Sequence, residues 1–282
     1  MYNAAATLSL QLDALTRQTY RGRWEVLLAD NGSSDDSVGI GLAYADRLPG
    51  LRAVAAGAVR GVSHARNAGV EAAAGDFVAI CDADDLVDRG WLAGLCEAAP
   101  NGDVLGGVID LARLNGLRRY WQAHQMEVSR YAGELPRLLG FLAFAPGGNF
   151  GAWRSVILDV GGWDERLVAG CDDVDFSWRA QLAGYRVVPA PAALVSVRTR
   201  ATAVAHARQS FRFGVTTAQL FANYRGRGAK APQLRSTVRT WAWLLATLPD
   251  LLHEERRGFW IRLAATRAGR LVGSVRHRVL LT

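Results

Sequence analysis

An apolar run that stops abruptly in carboxylates constrains this chain more than any other feature: Phe77, Val78, Ala79, Ile80 and Cys81 are followed by Asp82, Ala83, Asp84 and Asp85. A short, continuously apolar stretch of this kind is the pattern of a strand in a sheet covered on both faces. Ligands of such sheets bind at the carboxyl ends of the strands. Two aspartates one residue apart at that end suit a hard divalent cation with oxygen ligands, above all one that shares its coordination shell with substrate phosphates. The plain alternative is an acidic turn in which Asp85 or Asp88 caps the following helix.

Further segments of the same character occur in order along the chain. An earlier strand, closing on Leu27, Leu28 and Ala29, runs into Asp30, Asn31, Gly32, Ser33, Ser34, Asp35 and Asp36, a second acidic, turn-forming exit. Between the two lies Arg60-Gly61-Val62-Ser63-His64-Ala65-Arg66-Asn67, where Gly61 lets backbone pass close to a ligand and Arg66 offers a fork for a diphosphate or a base edge. Later come Gly147-Gly148-Asn149-Phe150, Gly161-Gly162-Trp163-Asp164-Glu165 and Gly170-Cys171-Asp172-Asp173. Helical spacing of Leu8, Leu12 and Leu15, strands near 51–55 and 104–109, and helices near 37–47, 63–74 and 89–98 alternate between them. That order specifies an α/β chain with a mostly parallel sheet and helices on both faces.

In these motifs the chain resembles the family 2 glycosyltransferases, nucleotide-sugar enzymes with the Rossmann-like GT-A fold, from Met1 to about Val197. Leu28-Ala29-Asp30-Asn31-Gly32-Ser33-Ser34-Asp35 looks like the family's nucleotide-binding strand end, which implies that Asp30, with Asn31 beside it, contacts the donor. Ala65-Arg66-Asn67 looks like its ARN segment, whose arginine approaches the nucleotide. Asp82-Ala83-Asp84 looks like the DXD motif, implying Asp82 at the nucleotide sugar and Asp82 and Asp84 as ligands of a divalent metal, Mn or Mg. Asp172-Asp173 stand where the family carries its Glu-Asp pair, implying catalytic roles with Asp173 as the base. The resemblance implies an inverting transfer of a sugar from a nucleoside-diphosphate donor to a hydroxyl of a glycan or lipid-linked acceptor, in the service of a cell-envelope polysaccharide.

Departures qualify it. Family members generally begin with a buried strand ending in Pro-x-Tyr-Asn, whereas Tyr2-Asn3 here follows Met1 directly, so a first strand is expected upstream. Arginine, at 198 and 200, occupies a segment where many members have a metal-binding histidine. Each key residue also has an ordinary role to weigh: Asp30 in an Asx turn, Arg66 as a solvated helix residue, Asp172 or Asp173 as an N-cap, and His64, His124 and His206 as packing or surface residues. Two other functions stay open on the residues alone. One is a metal-dependent nucleotidyltransferase, the other an inactive glycosyltransferase-like scaffold.

Charge divides the chain in two. From residue 201 onward 14 Lys and Arg face 3 Asp and Glu, whereas 19 face 23 before it. A catalytic domain over 1–200 and a basic helical extension over 201–282 are expected, with 201–205 and 225–228 as seams. No nucleic-acid motif accompanies the basic charge. Cys81, Cys96 and Cys171 show no paired spacing and fit a reducing cytoplasm. On a helix, Trp260, Ile261, Ala264, Ala268, Leu271, Val272, Val275 and Val279 gather on one side, opposite Arg262, Thr266, Arg270, Ser274 and Arg276. That pattern suits either an interfacial helix on an anionic membrane surface, at the inner face of the plasma membrane, or ordinary packing of the apolar side on the catalytic domain.

Overall fold

The computed structural model describes residues 1–116, 133–168 and 170–281. Leu8, Leu12 and Leu15 are all buried on α1 (Leu8–Leu15), as their spacing predicts. Then follow β1 (Leu27–Asp30), α2 (Ser37–Leu42), β2 (Arg52–Ala55), α3 (Val62–Ala72), β3 (Phe77–Cys81), β4 (Leu86–Val87), α4 (Trp91–Ala98), β5 (Val104–Asp110), β6 (Asn149–Trp153), α5 (Arg154–Asp159), α6 (Asp172–Leu182) and β7 (Val187–Ser196). Three helices close the chain: α7 (Ala203–Tyr224), α8 (Leu234–Ala246) and α9 (Glu254–His277). His124 lies outside the described residues.

β1 and β2 pair in parallel, and five further strands lie in the order β3-β6-β5-β7-β4. β3, β5 and β7 point the same way, because β3 and β5 are both antiparallel to β6 while β5 is parallel to β7; β6 and the short β4 run against them. Successive side chains of a strand face opposite sides. Val104 accordingly packs with Phe150, Ala152, Phe176 and Ala180 on the α6 side, and Leu105 with Leu92, Leu95, Ala193 and Val195 on the α4 side. The α/β class with helices on both faces holds.

β3 departs from expectation in its burial. All five of its residues are only partly buried, because among the described residues β3 has a hydrogen-bonded neighbour, β6, on one side alone. The first residues lie against β1 instead: the Met1 amino group donates to the Ala29 carbonyl at 2.5 Å and the Asn31 N–H to the Met1 carbonyl at 2.9 Å.

The C-terminal helices pack on the part of the chain that precedes them. Tyr224 of α7 donates its hydroxyl to Asp175 Oδ1 of α6 at 2.7 Å, and Ala218, Leu220 and Tyr224 share a core with Leu167, Val174 and Trp178. α9 crosses α7 at glycines. A Cβ on Gly269 would stand 2.1 Å from the Phe211 carbonyl oxygen, and one on Gly214 2.2 Å from that of Thr266, so only glycine permits this approach.

This crossing overturns the packing expected for α9. The buried side carries Gly258, Arg262, Thr266, Gly269, Gly273 and Ser274, whereas Leu271, Val272 and Val275 of the apolar side are exposed, Val275 by 83 %. Backbone contact at glycines decides the orientation, because the bulky apolar side would hold the helices apart. No helix among the described residues is long and apolar enough to cross a membrane.

Candidate active site

The acidic turn leaves β3 and enters β4 under the hold of Gln11 on α1, whose Nε2 donates to the Asp82 carbonyl at 3.2 Å while its Oε1 accepts the Val87 N–H at 3.0 Å. This holds the two aspartates of the motif outward, with Asp82 44 % and Asp84 40 % exposed at the side chain. Asp85 turns inward, is buried, and accepts the Arg198 N–H at 2.8 Å. Burial first, and then the Asp82 charge, pushes Asp85 up to about 8 and raises Asp84. Arg200 Nη1 stands 3.8 Å from Asp84 Oδ2. Two half-exposed carboxylates that repel one another fit a hard divalent cation. Among the described residues no cluster of three His, Cys, Asp or Glu completes a protein cage, so phosphate oxygens or water would supply the remaining ligands.

Arg66 links this turn to α6. Its side chain, nine-tenths buried, places Nη1 2.5 Å from Asp172 Oδ2 and Nη2 3.7 Å from Asp82 Oδ1. Asp172 is therefore an ion-pair partner and not a cap; the residue at the N-cap of α6 is Cys171, in the left-handed region. Asp173, next along the helix, stays partly exposed and accepts the Gly147 N–H at 2.9 Å and the Val174 N–H at 2.8 Å. Burial, and after it the neighbouring Asp172, push Asp173 up to about 6, against the pull of Arg66.

At the other strand end Asp30 accepts from the Ser33 N–H at 3.2 Å and the Ser33 hydroxyl at 2.5 Å, so its carboxylate is tied to the residue three positions on, one beyond the reach of an Asx turn. Asn31 is buried and its amide is fully engaged. Nδ2 donates to the carbonyls of Ala56 and Val59, and Oδ1 accepts the Gly61 N–H at 2.8 Å, so this side chain shapes the loop into α3 and presents no free group to a ligand. Asp82, Asp30 and Asp84 all act on the buried Met1 amino group, raising a pKa that desolvation lowers more. The two strand ends thus converge.

The family model of Glycosyl transferase family 2 matches residues 1–161, more than half of the chain. The chain belongs to glycosyltransferase family 2. It is 29 % identical over 191 residues to glycosyltransferase AglE of Haloferax volcanii, covering 66 % of this chain and 60 % of that protein. It is 33 % identical over 186 residues to the pre-mycofactocin glycosyltransferase of Mycobacterium tuberculosis, covering 61 % and 37 % respectively. The chain thus matches less than two thirds of the length of either relative. Among solved structures, the mannosyltransferase PcManGT from Pyrobaculum calidifontis, in complex with GDP-Man and Mn2+, superposes with a TM-score of 0.64 at 21 % identity over 97 % of this chain and 84 % of that one. S. aureus TarS residues 1–349 in complex with UDP-GlcNAc gives 0.54 at 17 % identity, covering all of this chain and 91 % of that one. These likenesses establish the GT-A fold.

Several residues around these charged groups carry structural roles that no motif in the sequence assigns. Gly147 and Gly148 form the strip on which both charged centres rest: a Cβ at 147 would lie 2.7 Å from Arg66 Nη2, and one at 148 would lie 3.0 Å from Asp82 Oδ2. Asn149 is fully buried, accepts from Trp91 Nε1 at 2.9 Å and donates to the Val108 and Ala193 carbonyls, tying α4, β5 and β7 behind the strip. Asn67 clamps Trp163 and Glu165, and His64 Nδ1 lies 3.1 Å from both Glu165 oxygens, so His64 has a structural partner 101 positions away. A Gly-Gly pair ahead of a strand was the available signal for the strip; nothing local marks the long-range clamp.

Proposed function

We propose that the chain catalyses inverting transfer of a sugar from a nucleoside-diphosphate donor to a hydroxyl of a glycan or lipid-linked acceptor. The observation that carries this reading is the Asp173 carboxylate, pushed up to about 6 and reachable from solvent, held beside an arginine that leads directly to the Asp82 and Asp84 pair. A carboxylate with that pKa is largely ionised at neutral pH yet more basic than an ordinary one, which suits a general base.

Asp173 takes the proton of the acceptor hydroxyl as its oxygen attacks the anomeric carbon. The bond from that carbon to the diphosphate breaks on the opposite face, and nucleoside diphosphate leaves with the bonding pair. One displacement inverts the centre. The hydrogen bonds from the Gly147 and Val174 N–H groups orient the base. Arg66 keeps positive charge between the base and the donor, and Asp172 fixes the guanidinium in place. A divalent ion, Mn or Mg, bound by Asp82 and Asp84 would neutralise the donor diphosphate. Asp30, at the neighbouring strand end, faces the nucleoside.

Incubation with a panel of nucleotide sugars, Mn2+ or Mg2+ and candidate acceptors tests the reading. Release of nucleoside diphosphate together with an inverted glycoside is expected. Release of pyrophosphate from a nucleoside triphosphate would replace the reading with nucleotidyl transfer, and no turnover with any donor that binds would leave a scaffold.

A further inference from the structure

The basic half of the molecule exposes an apolar stripe that its own packing does not use. Leu234, Val238, Trp241 and Leu245 follow one another along α8 at steps of four, three and four residues, and Leu248 and Leu252 extend the series through the 3-10 turn after it. Residues at such steps share one side of a helix. Leu234 is 72 %, Val238 59 %, Leu245 69 % and Leu252 85 % exposed and Trp241 between them is partly buried, whereas Thr237 and Leu244, on the side turned to α9, are buried. α8 is held there by the Trp260 Nε1 bond to the Leu244 carbonyl at 3.0 Å and by Arg267 Nη2 to Thr240 Oγ1 at 3.2 Å. The stripe is therefore outward by construction and not the surface of a loose helix.

Its flank identifies the occupant. Arg235 and Arg239, both exposed, fall beside the stripe on the side away from α9. From residue 225 to 257 seven Lys and Arg stand against three Asp and Glu, and two of those acids, Asp250 and Glu254, already face Arg256 and Arg257. Antiparallel two-fold pairing of two copies along this stripe would bring their arginine rows together, a like-charge arrangement that disfavours that dimer. An anionic lipid surface satisfies both features at once, taking leucine and tryptophan at the acyl boundary and arginine at the headgroups. We infer that α8 and the turn following it dock the protein on an anionic membrane surface.

Sedimentation of the full chain with vesicles, without donor or metal, tests this independently of the catalytic reading. The protein should bind vesicles containing phosphatidylglycerol and release them as NaCl rises from about 0.05 to about 0.5 M, through screening. Arg235→Gln with Arg239→Gln should lower affinity for those vesicles about thirtyfold, at the usual strength of a basic residue near a charged surface, and leave the weak binding to pure phosphatidylcholine unchanged. Leu245→Ser with Leu252→Ser should lower binding to both by about tenfold or more. All four positions are exposed, and an unchanged melting temperature will show that each variant folds. Absence of vesicle binding by the parent protein, or equal binding by the leucine variant, would overturn the inference. So would conversion of a solution dimer to a monomer by the leucine variant with no effect on vesicles, which would assign the stripe to a second copy.

Discussion

α1 and α9 carry the same kind of amphipathic signal and fold in opposite senses. Leu8, Leu12 and Leu15 face the core and are buried; Leu271, Val272 and Val275 face outward, and the small and charged side of α9 is packed. Periodicity reports that a helix has two different faces. Which face is buried depends on what can approach it, and Gly214, Gly269 and Gly273 allow α7 closer than any apolar side chain would. The contrast extends to charge. In the catalytic half Arg66 is buried against Asp172, whereas in the C-terminal half burial, with no carboxylate near it among the described residues, pushes Arg262 down to about 10.

The largest effect should come from the paired side of that contrast. Arg66→Ala removes the partner of the buried Asp172 and should cost about 3–5 kcal/mol of unfolding free energy, the usual consequence of stranding one member of a buried pair. Denaturant unfolding checks it, and a loss below about 1 kcal/mol would show that the pair is not held dry. The glycine crossing comes next. Gly269→Ala, which would gain about 1 kcal/mol of helix propensity in an open helix, should here destabilise by about 1–3 kcal/mol because its Cβ meets Phe211 backbone. Val275→Ser, on the apolar side, should change stability by less than about 0.5 kcal/mol. The reverse order would restore the conventional packing of α9.

Much of the site was present in the sequence as residues, and less of it as relations. Asp82, Asp84, Arg66, Asp172 and Asp173 were each marked by a local motif, and the structure brings them into one network. The half-burial of β3 was not visible, because an apolar strand records what could cover it and not how many neighbours pair with it. Asn31 shares a turn with Asp30 yet serves the loop at Ala56 and Gly61, a contact set by β2 and α3. The Gly147 and Gly148 strip needs close approach of Arg66 and Asp82, which lie more than 60 residues away in sequence, so its role emerges only in three dimensions.

Smaller effects separate the two acidic centres. Asp84→Ala should weaken donor binding roughly tenfold in Mn2+ or Mg2+, through loss of one hard oxygen ligand, and have no effect in excess chelator. Equal donor binding by the parent protein with and without chelator would remove the metal from the account. The pH dependence sharpens the other centre. A base at Asp173, as proposed, must be ionised to act, and with its pKa raised to about 6 kcat/KM should fall about tenfold per unit below pH 6 and level off above it. The stability effect has the opposite sign: the folded form holds the proton more tightly, so ionisation of Asp173 costs stability as pH rises from about 4 to about 6. A limb near the ordinary carboxylate range would show that burial does not tune this group.

Whether Asp173 deprotonates the acceptor is tested most directly by the turnover of Asp173→Asn with a donor that the parent protein uses. The substitution keeps an acceptor for the Gly147 N–H and removes the proposed base, so turnover should fall by about two orders of magnitude or more while donor affinity stays nearly unchanged. Turnover near that of the parent, at equal donor affinity, would contradict the assignment of Asp173 as the base and with it the mechanism proposed for this chain.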